Sequence, residues 1–384
     1  MKIALIIERF NPQAGGAEKS TAQIARHLTQ RGHEVTVITW WSPDELETAG
    51  YKIDAFTDKH KMGMVNIFRF SYWVRQHLAE GDYDASLSMT TAAAATVVEP
   101  RSGTIRETLD RNVAMRPSGW SRIAKRLLIY ASPKSQLQLR LERKTLFDPM
   151  VKRIVAVSAY VADQLRRHYG QLPDIIDVIP NASDMPSFSS AQRSTWRQTV
   201  RQGFAIDSDT PTFLFAAHNP KLKGAVTVLR AVRRLKEQGQ SGIVIIAGQL
   251  SYALQRQAAQ WHIRDRIRFT GTTDKIAQLM CAADVTVHPT WYDPSSKVVI
   301  ESLMMGVPAI STRFNGASEW IASEGAGVVL SDPSDDQALA QAMVQLADPA
   351  QRAASTPANG HMAQALSMAQ HVSRLEQLLE QVRS

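Results

Sequence analysis

Two carboxylates, Asp293 and Glu301, bracket the stretch Tyr292–Glu301, with Pro294, Ser295, Ser296 and Lys297 between them. Pro294 suits the neighbourhood of a helix start, where its missing N–H costs nothing, and Ser295 or Ser296 can cap. The helix then runs to about Met305 and stops at Gly306-Val307-Pro308. Asp293 falls in the loop beside the positive helix end. Glu301 lies about a turn and a half inside, on the side of Lys297, Val298, Met304 and Met305. Spacing leaves two readings open. One is a cap and an exposed Lys297–Glu301 ion pair in its weaker order; the other is two acids gripping one ligand.

A second constellation is cationic. His218, Lys221 and Lys223 follow the apolar run Thr212–Ala217, and Gly224 opens a helical stretch. Lysine can cancel charge on a departing phosphate, and helix amides add a fixed positive field. Basic residues at that corner read as a diphosphate clamp more readily than as solubilising charge. Near the N-terminus, Gly15-Gly16 opens another helix after the run Lys2–Ile7. It is not the dinucleotide fingerprint G-x-G-x-x-G. Nor is it a P-loop, because Glu18 stands where a glycine must precede Lys19-Ser20. It either lets backbone amides approach an anion or sugar, or only turns the corner. Asp207-Ser208-Asp209 has the spacing of a metal-bound sugar-nucleotide motif but reads as solvated loop. No His/Cys set has zinc spacing.

The elements that must position these residues alternate along the chain. Lys2–Ile7, Glu34–Trp40, Val65–Phe70, Ala85–Met89, Arg153–Ser158 and Ile176–Ile179 read as strands; Gly16–Arg31 and Ala159–Tyr169 read as helices. The pattern restarts with strands at Thr212–Ala217, Ile243–Ala247, Ile267–Thr270, Val285–His288 and Ala309–Thr312. Helices fall at Gly224–Gln238, Ala253–Trp261, Lys275–Ala283, Ser296–Met305 and Asp335–Leu346. This is α/β grammar, two doubly wound Rossmann-like domains. The expected boundaries are 1–181, a polar linker at 182–210, 211–355, and a helical tail at 356–384 packing back on the first domain. Ligands bind beyond the carboxyl ends of such strands, so two sets of ends facing across a cleft are expected.

The 384 residues include 44% hydrophobic and 21% charged side chains, which fits packed domains rather than disorder. Cys281 is the sole cysteine, so no intrachain disulfide forms and a reducing, cytoplasmic setting is expected. The N-terminal apolar run is too short for a signal peptide, and no run approaches a membrane span. The net charge of +8 points to an anionic partner, and the excess concentrates between Arg101 and Arg153. That segment interleaves Trp120, Leu127, Leu128, Ile129 and Tyr130. It reads either as a solvated helical face or as a surface for an anionic membrane on the inner face of the cytoplasmic membrane. It lacks a nucleic-acid-binding motif.

The stretch Asp293–Glu301 resembles the E-x7-E motif of family 4 glycosyltransferases of the GT-B fold, with Asp293 in place of the first glutamate. Other marks follow in the family's order: Asn11-Pro12 with Gly15-Gly16-Ala17-Glu18, Arg31–Val35, Ile179-Pro180-Asn181 with Asp184, Lys223-Gly224, Ala283–Pro289, Gly306–Pro308 and Asn315-Gly316. Tyr292–Pro294 and Arg313–Ala317 are similar to the lipopolysaccharide-core glucosyltransferases. The resemblance implies a retaining hexosyltransferase acting on a nucleotide sugar, UDP-linked, without a metal or other cofactor. The acceptor would be a glycan or glycolipid of the cell envelope.

It further implies that Asp293 holds donor-sugar hydroxyls and Glu301 the ribose. The amides of Ser295, Ser296, Lys297 and Val298 would face sugar and phosphate. Lys223 would neutralise the diphosphate, and Gly15-Gly16 would lie by phosphate or acceptor. His218 stands where the family often has arginine, so Lys221 would share the charge. A catalytic residue of the first domain is sought in Val97–Gly103, with Glu99 and Arg101 as candidates. Two rivals remain: a GT-B sugar-nucleotide epimerase, and a non-catalytic sugar-nucleotide-binding member.

Overall fold

Short apolar runs, buried on both faces, form the sheets, as helices on both sides require. The computed structural model describes residues 1–13, 15–43, 46, 48–57, 63–249, 251–356 and 361–383. The chain divides into two units, Met1–Asp184 with Ser367–Ser384, and Met185–Leu366.

The first unit contains β1 (Lys2–Arg9), α1 (Gly16–Gln30), β2 (Glu34–Trp41), β3 (Lys52–Ala55), α2 (Met64–Glu80), β4 (Ala85–Ser88) and β5 (Val97–Val98). Then come α3 (Ile105–Ala114), α4 (Gly119–Ala131), α5 (Pro133–Leu146), β6 (Arg153–Ala156), α6 (Ala159–His168) and β7 (Ile176–Val178). Its strands pair in parallel in the order β3-β2-β1-β4-β5-β6-β7.

The second unit contains α7 (Ser190–Gly203), β8 (Thr212–Ala217), α8 (Ala225–Glu237), β9 (Ile243–Gly248), α9 (Tyr252–Gln260), β10 (Ile267–Gly271), α10 (Ile276–Ala282) and β11 (Val285–His288). It continues with α11 (Lys297–Met304), β12 (Ala309–Thr312), α12 (Ser318–Ser323), β13 (Gly327–Leu330), α13 (Asp336–Ala347), α14 (Pro349–Ala354) and α15 (His361–Ala365). Its parallel order is β10-β9-β8-β11-β12-β13. The last helix, α16 (Met368–Gln381), returns to the first unit.

The two-domain α/β class is the one expected, with three local corrections. Val65–Phe70 is not a strand but part of α2, because Phe70 and Val74 are buried and Trp73 packs beside them, a period near 3.6. The polar span 182–210 is not a linker. It holds α7, N-capped by Ser189, whose Trp196 and Val200 join the core around Leu279 and Met280. Arg201 is buried there. It donates to Asp284 at 2.9 Å and to the carbonyls of Asp207 and Ser208, so that acidic loop serves as backbone acceptor with its side chains in solvent.

The span 356–384 does not act as one tail. Residues 357–360 and 384 lie outside the described residues; α15 packs on α11, and α16 packs on α1 and β4. Met368, Val372, Leu375 and Leu379 of α16 complete the core made by Ile3, Leu5, Ile24, Leu28 and Val37. The second core gathers Phe213, Phe215, Val228, Val232, Ile246, Val287, Leu339 and Met343. Among the described residues no helix is long and apolar enough to cross a membrane.

Candidate functional site

The cationic corner follows β8. Asn219 organises it by accepting from the Leu222 amide through its side chain and from the Lys223 amide through its carbonyl, at 3.2 and 3.1 Å. Gly224 then takes φ +83°, and a Cβ there would stand 2.1 Å from the Pro289 carbonyl oxygen. Only glycine permits both the left-handed turn and the approach. That approach sets Lys223 beside the loop after β11. Its Nζ donates to Asp293 Oδ2 at 2.6 Å and to the Tyr292 carbonyl at 3.0 Å. His218 and Lys221 stand exposed on the same corner.

Asp293 is pinned by its backbone before its side chain acts. Its amide donates to the Phe314 carbonyl and its carbonyl accepts from the Gly316 amide, both at 2.9 Å. Its Oδ1 accepts from the Ser295 amide at 3.3 Å. Asn315 braces the same loop: its Oδ1 accepts from the Ser296 amide at 3.0 Å, and its Nδ2 donates to Ser311 Oγ at 2.9 Å. Beneath lies buried His288, with Nε2 at 3.4 Å from Asp293 Oδ2 and 3.3 Å from Ser296 Oγ.

Burial alone would raise the Asp293 pKa. The Lys223 charge and the hydrogen bonds from His288 and Lys223 outweigh it and hold the carboxyl well below the usual carboxylate range. Burial holds His288 below its ordinary value, so a neutral imidazole braces the anion.

The helix that follows, α11, begins at Lys297 with Ser296 at its N-cap, whose side chain makes no capping hydrogen bond. Amides in a first helical turn lack intrahelical acceptors and carry the positive end of the helix dipole. Val299, Ile300, Ser302 and Leu303 face the core. Lys297, Val298, Glu301 and Met304 are only half-buried and share the other side. Ser295 and Ser296 are buried at the start of the helix. The structure thus gathers Lys223, Asp293, Ser295 and Ser296 at the carboxyl ends of β8 and β11, with Glu301 further along the same helix.

In the first unit, Gly15 is the N-cap of α1 and Gly16 its first residue, with nothing within 4 Å of where a Cβ on Gly16 would stand. The space is open at Gly16 only, because the Glu18 carboxylate lies where a Cβ on Gly15 would stand. Glu99 is fully buried after β5. Arg101 donates to its Oε1 at 2.5 Å and to Asn181 Oδ1 at 2.6 Å, and His371 of α16 lies 3.8 Å from the same carboxylate. Burial raises its pKa. It has no exposed surface, and its geometry is that of a brace between β5 and α16.

Sequence reasoning passed over His288, which only closes a strand, and Glu8, which lies next to the last residue of β1 and takes a hydrogen bond from Thr90 after β4. A carboxylate at the carboxyl end of an apolar inner strand was the available signal for Glu8; burial raises its pKa.

Comparison with known proteins finds glycosyltransferases. Residues 14–185 match the family described as Glycosyltransferase Family 4, and residues 197–360 match Glycosyl transferases group 1. The chain is 21% identical over 345 residues to the lipopolysaccharide glucosyltransferase WaaG of Escherichia coli K12, covering 88% of this chain and 87% of the relative. The crystal structure of WaaG superposes with TM-score 0.77 at 18% identity, covering 98% of this chain and 99% of that one. Anabaena HepE, solved in complex with UDP-glucose, superposes with TM-score 0.73 at 18% identity, covering 99% and 100%. These likenesses establish the fold as GT-B.

Proposed function

This chain belongs to the family 4 type of GT-B glycosyltransferases, and from that premise we propose that it moves a hexose from a UDP-sugar to a glycan or glycolipid acceptor, with retention and without a metal. The observation that carries the donor reading is the Lys223–Asp293 pair at 2.6 Å beside the N-terminus of α11. The WaaG relationship supports an acceptor of the lipopolysaccharide or cell-envelope type, and the UDP-glucose complex of HepE supports a UDP-linked donor.

In this reading a lysine ammonium has three donors. Two of those on Lys223 are committed to Tyr292 and Asp293, and the third is available to a phosphate oxygen. Because Asp293 stays ionised, it offsets much of the Lys223 charge. Lys221, His218 and the α11 amides must supply the rest of the field on the diphosphate. The Ser295 and Ser296 amides are spent on Asp293 and Asn315. Asp293 therefore orients the sugar, with the Lys297 and Val298 amides facing sugar and phosphate, and Glu301 holds the ribose hydroxyls. The bond from the anomeric carbon to the phosphate oxygen breaks, and the electron pair leaves with the diphosphate. The acceptor hydroxyl adds on the same face and passes its proton to the departing phosphate oxygen. No enzyme nucleophile is required. Gly15-Gly16, in the first unit, is proposed to offer backbone amides to a phosphate or to the acceptor.

The acceptor is proposed to lie at the inner face of the cytoplasmic membrane. Helix α4 exposes Trp120, Leu127 and Leu128 at 83%, 64% and 66%, beside Arg122, Lys125 and Arg126. That is the composition of an interfacial helix.

The test is a mass-spectrometric panel of UDP-, GDP- and ADP-sugars with glycan and glycolipid acceptors. Transfer from a UDP-sugar with the anomeric configuration kept is expected. Conversion of the sugar nucleotide without an acceptor would make the protein an epimerase, and binding without turnover would make it a sensor. Glu301→Ala should abolish UDP binding in calorimetry, and unchanged affinity would remove the ribose role.

A further inference from the structure

Helix α7 carries Arg193, Arg197 and Arg201 at successive turns, which puts all three on one side of it. In the second unit Arg193, Arg197 and Arg352 of α14 line a cavity of about 510 Å³, with Met280, Val307 and Pro308 among its other walls. Asp284 directly precedes β11 and Pro308 directly precedes β12, so the cavity sits at the amino ends of these strands. The donor residues gather at the carboxyl ends of the same sheet.

Asp284 is the one carboxylate in the wall among the described residues, and it is already committed. Its Oδ1 accepts from Arg197 at 2.7 Å, and its Oδ2 accepts from buried Arg201 at 2.9 Å and from the Thr212 amide at 2.8 Å. Arg352 approaches it only to 4.0 Å. The arginines also hold helix ends. Arg197 donates to the Cys281 and Ala282 carbonyls of α10 at 3.3 Å, Arg352 to Leu346 and Ala347 of α13 at 3.3 and 3.0 Å, and Arg193 to Met305 after α11. A helix carboxyl end carries about half a negative charge. Three such ends and one carboxylate leave four guanidinium groups with a positive excess. Arg197 and Arg201 are accounted for by Asp284. Arg193 and Arg352 are not: each has five N–H donors, and most of them remain after the carbonyls and the Cys281 thiol are served.

We propose that this cavity binds the phosphate group of a small phosphorylated molecule, as a second site separate from the donor site. Guanidinium forks match phosphate oxygens, and here two of them converge without a carboxylate of their own. The cavity has the volume of a small-molecule pocket, and Met280, Val307 and Pro308 offer an apolar wall to the organic part of the ligand.

Calorimetry on the full chain, with UDP saturating the donor site, tests it by titrating inorganic phosphate and phenyl phosphate at constant ionic strength. Saturable binding of both is expected, phenyl phosphate being the tighter. Arg193→Gln/Arg352→Gln should weaken both by roughly tenfold or more, because charge-assisted hydrogen bonds are lost. Arg230→Gln/Arg256→Gln removes two exposed arginines of the same unit that do not line the cavity, and should leave both affinities unchanged. Arg193 and Arg352 also hold helix ends, so Ala353→Glu is the second variant. Ala353 is exposed in the cavity wall, and glutamate there adds a negative charge while every arginine hydrogen bond is kept. It should bring the same loss, with circular dichroism checking the fold.

Equal losses in the two arginine pairs would mean diffuse attraction and overturn the site. Full affinity in Ala353→Glu, or a wild-type chain that binds neither probe, overturns it as well. Inorganic phosphate binding without phenyl phosphate binding overturns the organic ligand. A chain that ignores UDP yet binds phenyl phosphate through Arg193 and Arg352 supports this site while removing the donor reading.

Discussion

At the scale of single residues, the site turns on one proton and one charge. Asp293 and Lys223 were legible in the sequence as candidates, one from its place before a helix and one from its place after a strand. Their pairing was not legible, because it joins positions separated by 70 in the chain. His288 carried no signal of its own, since a buried histidine at a strand end is usually packing. Lys223→Met should lower kcat/KM by about 10²–10³ if it stabilises the departing diphosphate. Lys221→Met should raise KM for the donor with less effect on kcat; steady-state kinetics with varied UDP-sugar separate the two. Asp293→Asn should cost about 2 kcal/mol at neutral pH, because it leaves Lys223, 18% exposed, without its anion. The pH dependence has a fixed sign. The native carboxyl is held below its unfolded value, so its contribution is complete above about pH 4 and is lost as pH falls further. Denaturant titrations should therefore show wild type and Asp293→Asn converging in acid. A constant gap would mean that the carboxylate charge does not hold the loop.

At the scale of elements, close approach between two loops aligns the site, and Gly224 is where it can be tested. Gly224 and Gly239 both have positive φ, at +83° and +69°. A Cβ on Gly239 meets nothing within 4 Å, whereas one on Gly224 runs into the Pro289 carbonyl. Alanine at Gly239 should cost about 1 kcal/mol of backbone strain. Alanine at Gly224 should cost about 2–4 kcal/mol and displace Lys223, so that donor turnover falls with stability. Equal costs in urea melts would mean that the Pro289 contact relaxes easily. Elements also differ in how far the sequence exposed them. Long buried strands such as β1 and long amphipathic helices such as α1 declare their periods. The six residues 65–70 are too few to separate a period of 2 from 3.6, and the wider run of Phe70, Trp73 and Val74 decides for helix. Helix α7 was hidden by its polar composition, since its packing depends on Trp196, Val200 and one buried arginine. Strand β5 has only two residues, Val97 and Val98, and is specified by its neighbours β4 and β6 rather than by itself.

At the scale of the whole molecule, chain order and structural unit part company. The second unit is one continuous segment, Met185–Leu366, and it contains every proposed donor residue except Gly15 and Gly16. The first unit is discontinuous and needs α16 to close its core. These facts make opposite predictions for truncation. A chain ending at Leu366 loses Met368, Val372, Leu375 and Leu379, and leaves the apolar faces of α1 and β4 uncovered. Each large-to-small change at such positions typically costs about 2–5 kcal/mol, so losing the whole helix exceeds the stability of an ordinary domain. The first unit of that truncated chain should unfold, and hydrogen exchange should show its sheet deprotected while β8 and β11 stay protected. The fragment 185–366, by contrast, retains both its sheet and its core and should unfold in one cooperative transition. It should bind UDP within about tenfold of the full chain, because an affinity loss above 1.4 kcal/mol would require contacts that the fragment lacks. Calorimetry on the fragment decides between two arrangements of function. Retained affinity places donor recognition wholly in the second unit. A folded fragment that no longer binds UDP would show that Gly15-Gly16 or its neighbours carry an essential share of the phosphate contacts.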